Sequence, residues 1–386
     1  MPIADLLKEL SAIKASGLTR ARRVLETPQG AHVVVDGCDC VAFCSNDYLG
    51  LANDPRIVAA AQAGAATYGV GASASHLILG HSRAHEALEL ELAQFVRQPR
   101  ALLFSTGYMA NLGVVTALVG RDDAIFADRL NHASLNDAAL LSRAAFRRYP
   151  HNDVEALERL LETTKARRKL IITDAVFSMD GDIAPVGDLA RLAKRHGAWL
   201  LLDDAHGFGV LGAEGRGVLS HAAVSSPNII YMATLGKAAG VFGAFVAGEA
   251  DLIEFLVQRA RPYIYTTAMP PLLADALCAS LAIIAAESWR RAALTRFATL
   301  LRERLAGCRW RLAASDTAIQ PLVVGENASA IGLAQKLFEQ GILVPAIRPP
   351  TVPQGTARLR ISLSAAHSAE DVERLASALL SADAAR

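Results

Sequence analysis

Trp199-Leu200-Leu201-Leu202-Asp203-Asp204-Ala205-His206-Gly207 and Ile229-Ile230-Tyr231-Met232-Ala233-Thr234-Leu235-Gly236-Lys237 decide how this chain folds. Each is a short apolar run ending in polar and small residues, the pattern of a strand buried on both faces. Lys237 follows Asp203 by 34 residues, which is room for one helical crossover between neighbouring parallel strands. In an open α/β sheet, ligands sit beyond the carboxyl ends of the strands. An acid at one such end and a lysine at the next can therefore face one another across a small aromatic cofactor. Pyridoxal 5'-phosphate (PLP) requires that pair: a lysine to form a Schiff base and a carboxylate to keep the pyridine nitrogen protonated.

Strand and helix alternate on either side of these two runs. Strands are predicted at 101–105, 123–126, 170–176, 199–203 and 228–233, followed by a hairpin-like 242–247, with helices at 107–119, 135–143, 153–163 and 187–196. Near-continuous apolar strands alternating with helices describe an α/β fold with a large, mainly parallel sheet covered on both faces. Ahead of it lie an amphipathic helix over 4–16, short strands at 32–35 and 41–44, an alanine-rich helix over 55–68, a Gly/Ser/Ala turn at 69–75 and a helix over 83–97. After Pro270-Pro271 comes a long, broken alanine/leucine helix over 272–305. Strands near 319–324, 342–346 and 358–363 and helices near 328–340 and 368–381 then build a smaller α/β unit. The expected division is an N-terminal helix with short strands (1–45), a large cofactor-binding domain (46–275) and a small C-terminal α/β domain (276–386).

Composition narrows the function class. The chain has 386 residues, 52% hydrophobic and 20% charged, as expected of a globular enzyme with filled interiors. A net charge of +1 gives no electrostatic reason to expect nucleic acid or an anionic membrane. No apolar run of about 18 residues exists to span a bilayer, and Met1-Pro2-Ile3-Ala4-Asp5 does not read as a signal peptide. The five cysteines, an odd number, fit a reducing, cytoplasmic setting. Cys38, Cys40 and Cys44 lie close together, but no cysteine or histidine pair with ligand spacing completes a site, so no metal is expected.

Further candidates cluster at the same strand ends. Ser178 precedes Asp203 by 25 residues, again one strand–helix–strand step. Ser105-Thr106-Gly107-Tyr108-Met109-Ala110-Asn111 places a glycine turn at a helix N-terminus, where free N–H groups and the helix dipole favour phosphate. Gly69-Val70-Gly71 with Gly80 has the glycines of a dinucleotide fingerprint but follows a helix and lacks an opening strand, which excludes that reading. His132 can stack on a cofactor ring. His206 can reach a ring oxygen or position Asp203, and Thr234 can offer its hydroxyl to phosphate. Taken singly, each has an ordinary alternative as a cap, turn or loop residue.

Several stretches together resemble a known family. Ser45-Asn46-Asp47-Tyr48-Leu49-Gly50-Leu51, Asp128 to Ser134, Val176 to Asp182, Asp203 to Gly207, Thr234 to Lys237 and Tyr265 to Pro271 are similar to the α-oxoamine synthases, in order and spacing, over residues 18 to 375. These are PLP enzymes of the aspartate-aminotransferase fold (fold type I) that condense an amino acid with an acyl thioester and release CO2. Ala346-Ile347-Arg348-Pro349-Pro350-Thr351-Val352-Pro353 most resembles the biotin-pathway branch, which joins L-alanine to pimeloyl-CoA or a pimeloyl-acyl-carrier protein. The resemblance implies that Lys237 carries the cofactor and moves a proton, that Asp203 pairs with the pyridine nitrogen and that His132 stacks on the ring. It implies cofactor contacts for Gly107, Tyr108, Ser178, His206 and Thr234, a carboxylate clamp at Arg360, and substrate contacts at Arg20 and Thr351. A homodimer is implied too, with Thr266 or Thr267 reaching the partner's phosphate. Asp174 stands where the family pattern has glutamate; its shorter side chain leaves it without an assigned role. Glycine is sparse around 72–76, so no backbone ligand is expected there.

Three other readings bear comparison: a sister condensation using glycine or serine, an aminotransferase sharing Lys237 and Asp203, and a PLP-binding scaffold without activity. Substrate choice separates the first two, and the joint presence of Lys237, Asp203, His132 and Arg360 argues against the third.

Overall fold

The computed structural model describes residues 2–16 and 18–384. Its centre is a seven-stranded sheet in the order Arg100–Phe104, Ala244–Gly248, Ile229–Thr234, Trp199–Asp203, Lys169–Asp174, Ala124–Asp128, Ala145–Tyr149. Ala244–Gly248 runs antiparallel to both neighbours, and every other pairing is parallel. Alternate side chains feed opposite faces: Leu200 and Leu202 pack in one core, Leu201 in the other. All three are fully buried, each stabilising the fold by about 2 kcal/mol through burial. Parallel register sets Asp174 beside Asp203, and Asp203 beside Met232. The polar ends of three adjacent strands therefore open at one edge.

Two smaller sheets complete the fold. His32–Val35 and Cys38–Ala42 form a hairpin whose turn, Asp36-Gly37, takes positive φ at both residues (51° and 75°), as a tight two-residue hairpin requires. Cys38–Ala42 pairs in parallel with Ile342–Leu343, so the N-terminal strands share a sheet with the C-terminal part of the chain. The other sheet runs Arg311–Leu312, Ile319–Gly325, Ala357–Ser362, Ala346–Ile347.

Sequence expectation and structure differ at four places. Ala145–Tyr149 is a strand not expected from sequence; Arg147 and Arg148 face solvent on this edge strand and hide its apolar pattern. The strand expected over 41–44 lies at Cys38–Ala42, earlier because the hairpin turn sets the register. The strand expected over 342–346 is two strands in different sheets, parted at Val344-Pro345, where proline has no N–H for a ladder. The Gly/Ser/Ala stretch runs into a single π turn, His76–Gly80.

The long apolar helix is broken, as expected, into Pro271–Ala286 and Ser288–Arg304, bent by 66°. The first of these packs against Pro55–Tyr68 and Arg83–Phe95. No single helix among the described residues is long and apolar enough to cross a membrane.

Candidate active site

A cavity of about 200 Å³ opens beyond the strand ends and is lined by Gly107, Tyr108, His132, Ser178, Asp203, His206, Thr234 and Lys237. All eight residues expected to hold the cofactor thus meet at one place. Ser134, Asp174, Val176, Ala205 and Met232 complete the wall.

Lys237 and Asp203 each come with supporting partners. The Lys237 ammonium lies 2.8 Å from His206 Nε2, and burial pulls its pKa down to about 8 against the attraction of Asp203 and Asp174. Burial, then Lys237 itself, holds His206 well below its ordinary pKa, so the imidazole is neutral and accepts from the lysine. That assigns the proton to Nδ1, which faces the Tyr48 hydroxyl at 2.7 Å. Tyr48 OH donates to Asn46 Oδ1 (3.1 Å) and accepts from Arg360 Nη2 (3.4 Å). A chain of hydrogen bonds thus joins the lysine to the arginine. On Asp203, Oδ2 accepts from Asn111 Nδ2 at 2.7 Å and Oδ1 from the Ala205 N–H at 3.1 Å. Asn111 also donates to Ser134 Oγ.

His132 is held from two sides. It caps the helix Ala133–Ser142, with Nδ1 2.8 Å from Ser134 Oγ, while its N–H donates to Asp174 (3.1 Å). Burial first, then the neighbouring Asp203, pushes the Asp174 carboxyl well above its usual range. A neutral Asp174 places no repelling charge beside Asp203. The shorter side chain therefore has a place here, bracing His132 from the wall of the cavity.

The phosphate cradle is built by the helix Gly107–Leu118. Thr106 caps it by accepting the Met109 N–H, which leaves the first amides, including those of Gly107 and Tyr108, without helical partners. A Cβ built on Gly107 would meet nothing closer than 3.8 Å; it would project into the cavity and take space needed by a ligand. Thr234 Oγ1 donates to the Gly243 carbonyl and lies on the same wall. The cavity thus offers an amine, an accepting carboxylate and a cradle of donating amides, the three groups that fit the aldehyde, protonated pyridine nitrogen and phosphate of PLP.

Arg360 sits behind this wall on Ala357–Ser362, buried at 5% exposure. Its Nε donates to the Ser178 carbonyl (2.5 Å) and Nη1 to Ser362 Oγ (2.7 Å) and Asn46 Oδ1 (3.2 Å). Among the described residues none of its hydrogen-bond partners is a carboxylate, so its charge is available to a substrate anion. Arg20 and Thr351 are not brought to the cavity within one chain. Arg20 is exposed on an extended segment, and Thr351 is exposed in a turn where its N–H donates to the Arg348 carbonyl. Their neighbours Thr19, Ala21 and Arg348 line a separate cavity of about 700 Å³.

The family model for class I and II aminotransferases matches residues 38–379. An 8-amino-7-oxononanoate synthase of Nitrosomonas europaea is 63% identical over 380 residues, 98% of each chain. The chain belongs to the 8-amino-7-oxononanoate synthases of the class I and II aminotransferase family. Among solved structures, a lysine-to-alanine variant of a serine palmitoyltransferase of S. paucimobilis with a bound PLP–myriocin aldimine aligns at TM-score 0.92 and 30% identity, over 99% of this chain and 97% of that one. An 8-amino-7-oxononanoate synthase of Francisella tularensis aligns at TM-score 0.78 and 32% identity, over 89% and 97%. PLP is the cofactor of this enzyme family and of this chain.

Asn46, Tyr48, Asn111 and Ser134 join the site without a role expected from sequence, as does Asp174, whose role the sequence leaves open. Asn111 had a legible signal, a polar side chain at a buried position of the apolar helix Gly107–Leu118. Tyr48 had none, because its partners His206 and Arg360 lie 158 and 312 residues away.

The lowered pKa of Lys237 makes a rate prediction. The neutral amine is the nucleophile, so a pKa pulled down to about 8 raises its population at neutral pH. Capture of PLP by the cofactor-free protein should speed up roughly fifty-fold from about pH 6 to about pH 8 and then level off. Stopped-flow absorbance measures it; a rise continuing past about pH 10 would contradict the assignment.

Proposed function

We infer that this chain catalyses the decarboxylative condensation of L-alanine with a pimeloyl thioester, giving 8-amino-7-oxononanoate, CO2 and the free thiol carrier. The observation carrying this reading is the 63% identity, over 98% of both chains, to a protein of that name. A cavity with the matching donor set supports it.

PLP, when bound, supplies an electron-withdrawing ring that accepts charge from the amino-acid Cα. The chain does the rest. Arg360 holds the alanine carboxylate, its guanidinium oriented by Ser178, Ser362 and Asn46. Lys237 Nζ, drawn into the neutral range by burial, takes the Cα proton, and His206 accepts a hydrogen bond from that same nitrogen. Asp203, gripped by Asn111 and Ala205, would hold the pyridine nitrogen of the cofactor protonated. His132, neutral because desolvation lowers its pKa, can offer its ring face to the cofactor and a hydrogen bond to the thioester carbonyl oxygen as charge develops there. Arg20 and Thr351 bind the acyl substrate in this reading. The working form is a cytoplasmic homodimer, with Thr266 or Thr267 reaching the partner's phosphate. The divisions 1–45, 46–275 and 276–386 remain the proposed domains.

Amino-acid choice tests the reading. With pimeloyl-CoA, L-alanine should release CO2 at least about tenfold faster than glycine or L-serine, the discrimination a single methyl or hydroxyl supports. Preference for glycine or serine would move the chain to a sister condensation, and keto-acid-dependent amino transfer would make it an aminotransferase.

A further inference from the structure

The hydroxyl of Tyr48 lies outside the wall of the lysine cavity, yet three groups converge on it. His206 Nδ1 stands 2.7 Å away, Asn46 Oδ1 3.1 Å and Arg360 Nη2 3.4 Å. The ring is 1% exposed within the main core, and its backbone is anchored separately. The Tyr48 N–H donates to the Asn46 carbonyl and the Tyr48 carbonyl accepts the Ala365 N–H, both at 2.8 Å. Packing and backbone thus place the ring without help from the hydroxyl.

The donor inventory fixes the direction of each bond in this chain. An ammonium and a guanidinium have donors and no acceptor. A chain from Lys237 to Arg360 therefore has donors at both ends. It closes on one condition: some member must accept from both sides and place its own proton elsewhere. Lys237 at 2.8 Å makes His206 Nε2 an acceptor, which leaves the imidazole proton on Nδ1, facing Tyr48. A hydroxyl has two lone pairs and one proton. Tyr48 uses all three, accepting from His206 and Arg360 and donating to Asn46. Asn46 Oδ1 also accepts from Arg360 Nη1 at 3.2 Å, so the surplus proton ends on an amide oxygen beside the clamp.

We propose that Tyr48 is a positioning residue of the reaction, holding His206 in the Nδ1–H tautomer so that Nε2 accepts from Lys237. The tautomer decides what becomes of the lysine lone pair. With Nε2 as acceptor, a neutral Lys237 donates one N–H to it and keeps its lone pair free. With the proton on Nε2, the imidazole donates into that lone pair, which PLP capture and Cα proton transfer both need. Tyr48→Phe leaves Nδ1–H buried without its acceptor, a cost that moving the proton to Nε2 relieves. Arg360 is less affected, because it keeps the Ser178 carbonyl, Ser362 Oγ and Asn46 Oδ1. Loss of the hydroxyl therefore falls on the lysine and spares the clamp.

This inference rests on Lys237 as the cofactor lysine and not on the choice of substrates. The first test is NMR of cofactor-free protein carrying nitrogen-labelled histidine, in which the two tautomers give different patterns. The His206 signal, identified by its loss in His206→Ala, should report Nδ1–H in wild type and shift toward Nε2–H in Tyr48→Phe. The second test is PLP capture on the plateau of its pH profile, where the Nζ lone pair bonds the aldehyde carbon and the oxygen leaves as water. Capture should slow about tenfold in Tyr48→Phe, the scale of one hydrogen bond. kcat should fall by a similar factor, while KM for the amino acid stays within about threefold. In a His206→Ala background, Tyr48→Phe should change capture by less than about twofold, because the two residues act as one. A retained Nδ1–H tautomer in Tyr48→Phe overturns the proposal, as does unchanged capture or equal slowing with and without His206. A wild type that captures PLP but does not condense L-alanine with pimeloyl-CoA sinks the substrate reading instead and leaves this test intact.

Discussion

Lys237→Ala removes the covalent link to the cofactor and reduces turnover by at least about 10³-fold, the scale of losing a positioned proton carrier. The size of the effect follows from what surrounds the amine. The Lys237 nitrogen has His206 at 2.8 Å, and burial has already drawn its pKa to about 8. Among the eight cavity residues expected to hold the cofactor, no other is a primary amine. PLP should still enter, because Asp203, Thr234 and the amides at Gly107 and Tyr108 are untouched. The spectrum of the variant with PLP should therefore be that of free aldehyde held without a lysine bond. A variant that keeps the lysine-bound absorbance band and measurable condensation would show that another amine carries the cofactor.

Asp203→Asn should be nearly as damaging although the side chains have the same shape. Both carboxylate oxygens of Asp203 already accept hydrogen bonds, one from Asn111 and one from the Ala205 N–H. An amide at this position must turn its NH2 toward one of those donors, leaving a buried donor unsatisfied, at a cost of about 1–3 kcal/mol in folding stability. It also removes the negative charge that keeps the pyridine nitrogen protonated, which should lower kcat by about 10³-fold. Turnover at saturating PLP and chemical unfolding of the cofactor-free protein, measured separately, distinguish the two effects. Unchanged kcat with saturating PLP would show that the carboxylate has only a structural part.

The expectations from sequence and the structure agree most closely where chemistry and periodicity coincide. The strand Trp199–Asp203 is found at its expected boundaries, since five residues between polar breaks leave no choice of register. The helix Pro55–Tyr68 is likewise bounded by Asp54, whose side chain accepts the Arg56 N–H, and by Gly69 at its C-cap. Local signals failed where partners decide. Ala145–Tyr149 is a strand because Ala124–Asp128 offers it a free edge, and nothing in its own residues says so. Val344-Pro345 divides one apolar run between two sheets because each half meets a different neighbour.

The sequence by itself determined the strand ends, and with them the meeting of an acid and a lysine, because parallel strands joined by single crossovers must open their polar ends on the same edge. It determined the helix N-terminus at Gly107 in the same way, since capping and glycine are local properties. Only the tertiary structure decided what the acid and the lysine touch. The chain from Lys237 through His206 and Tyr48 to Arg360, the grip of Asn111 on Asp203, and the brace from Asp174 to the His132 N–H each join residues far apart in the sequence. Hydrogen bonds are short-ranged and directional, so which distant groups share one is decided by packing, and packing exists only once the chain has folded.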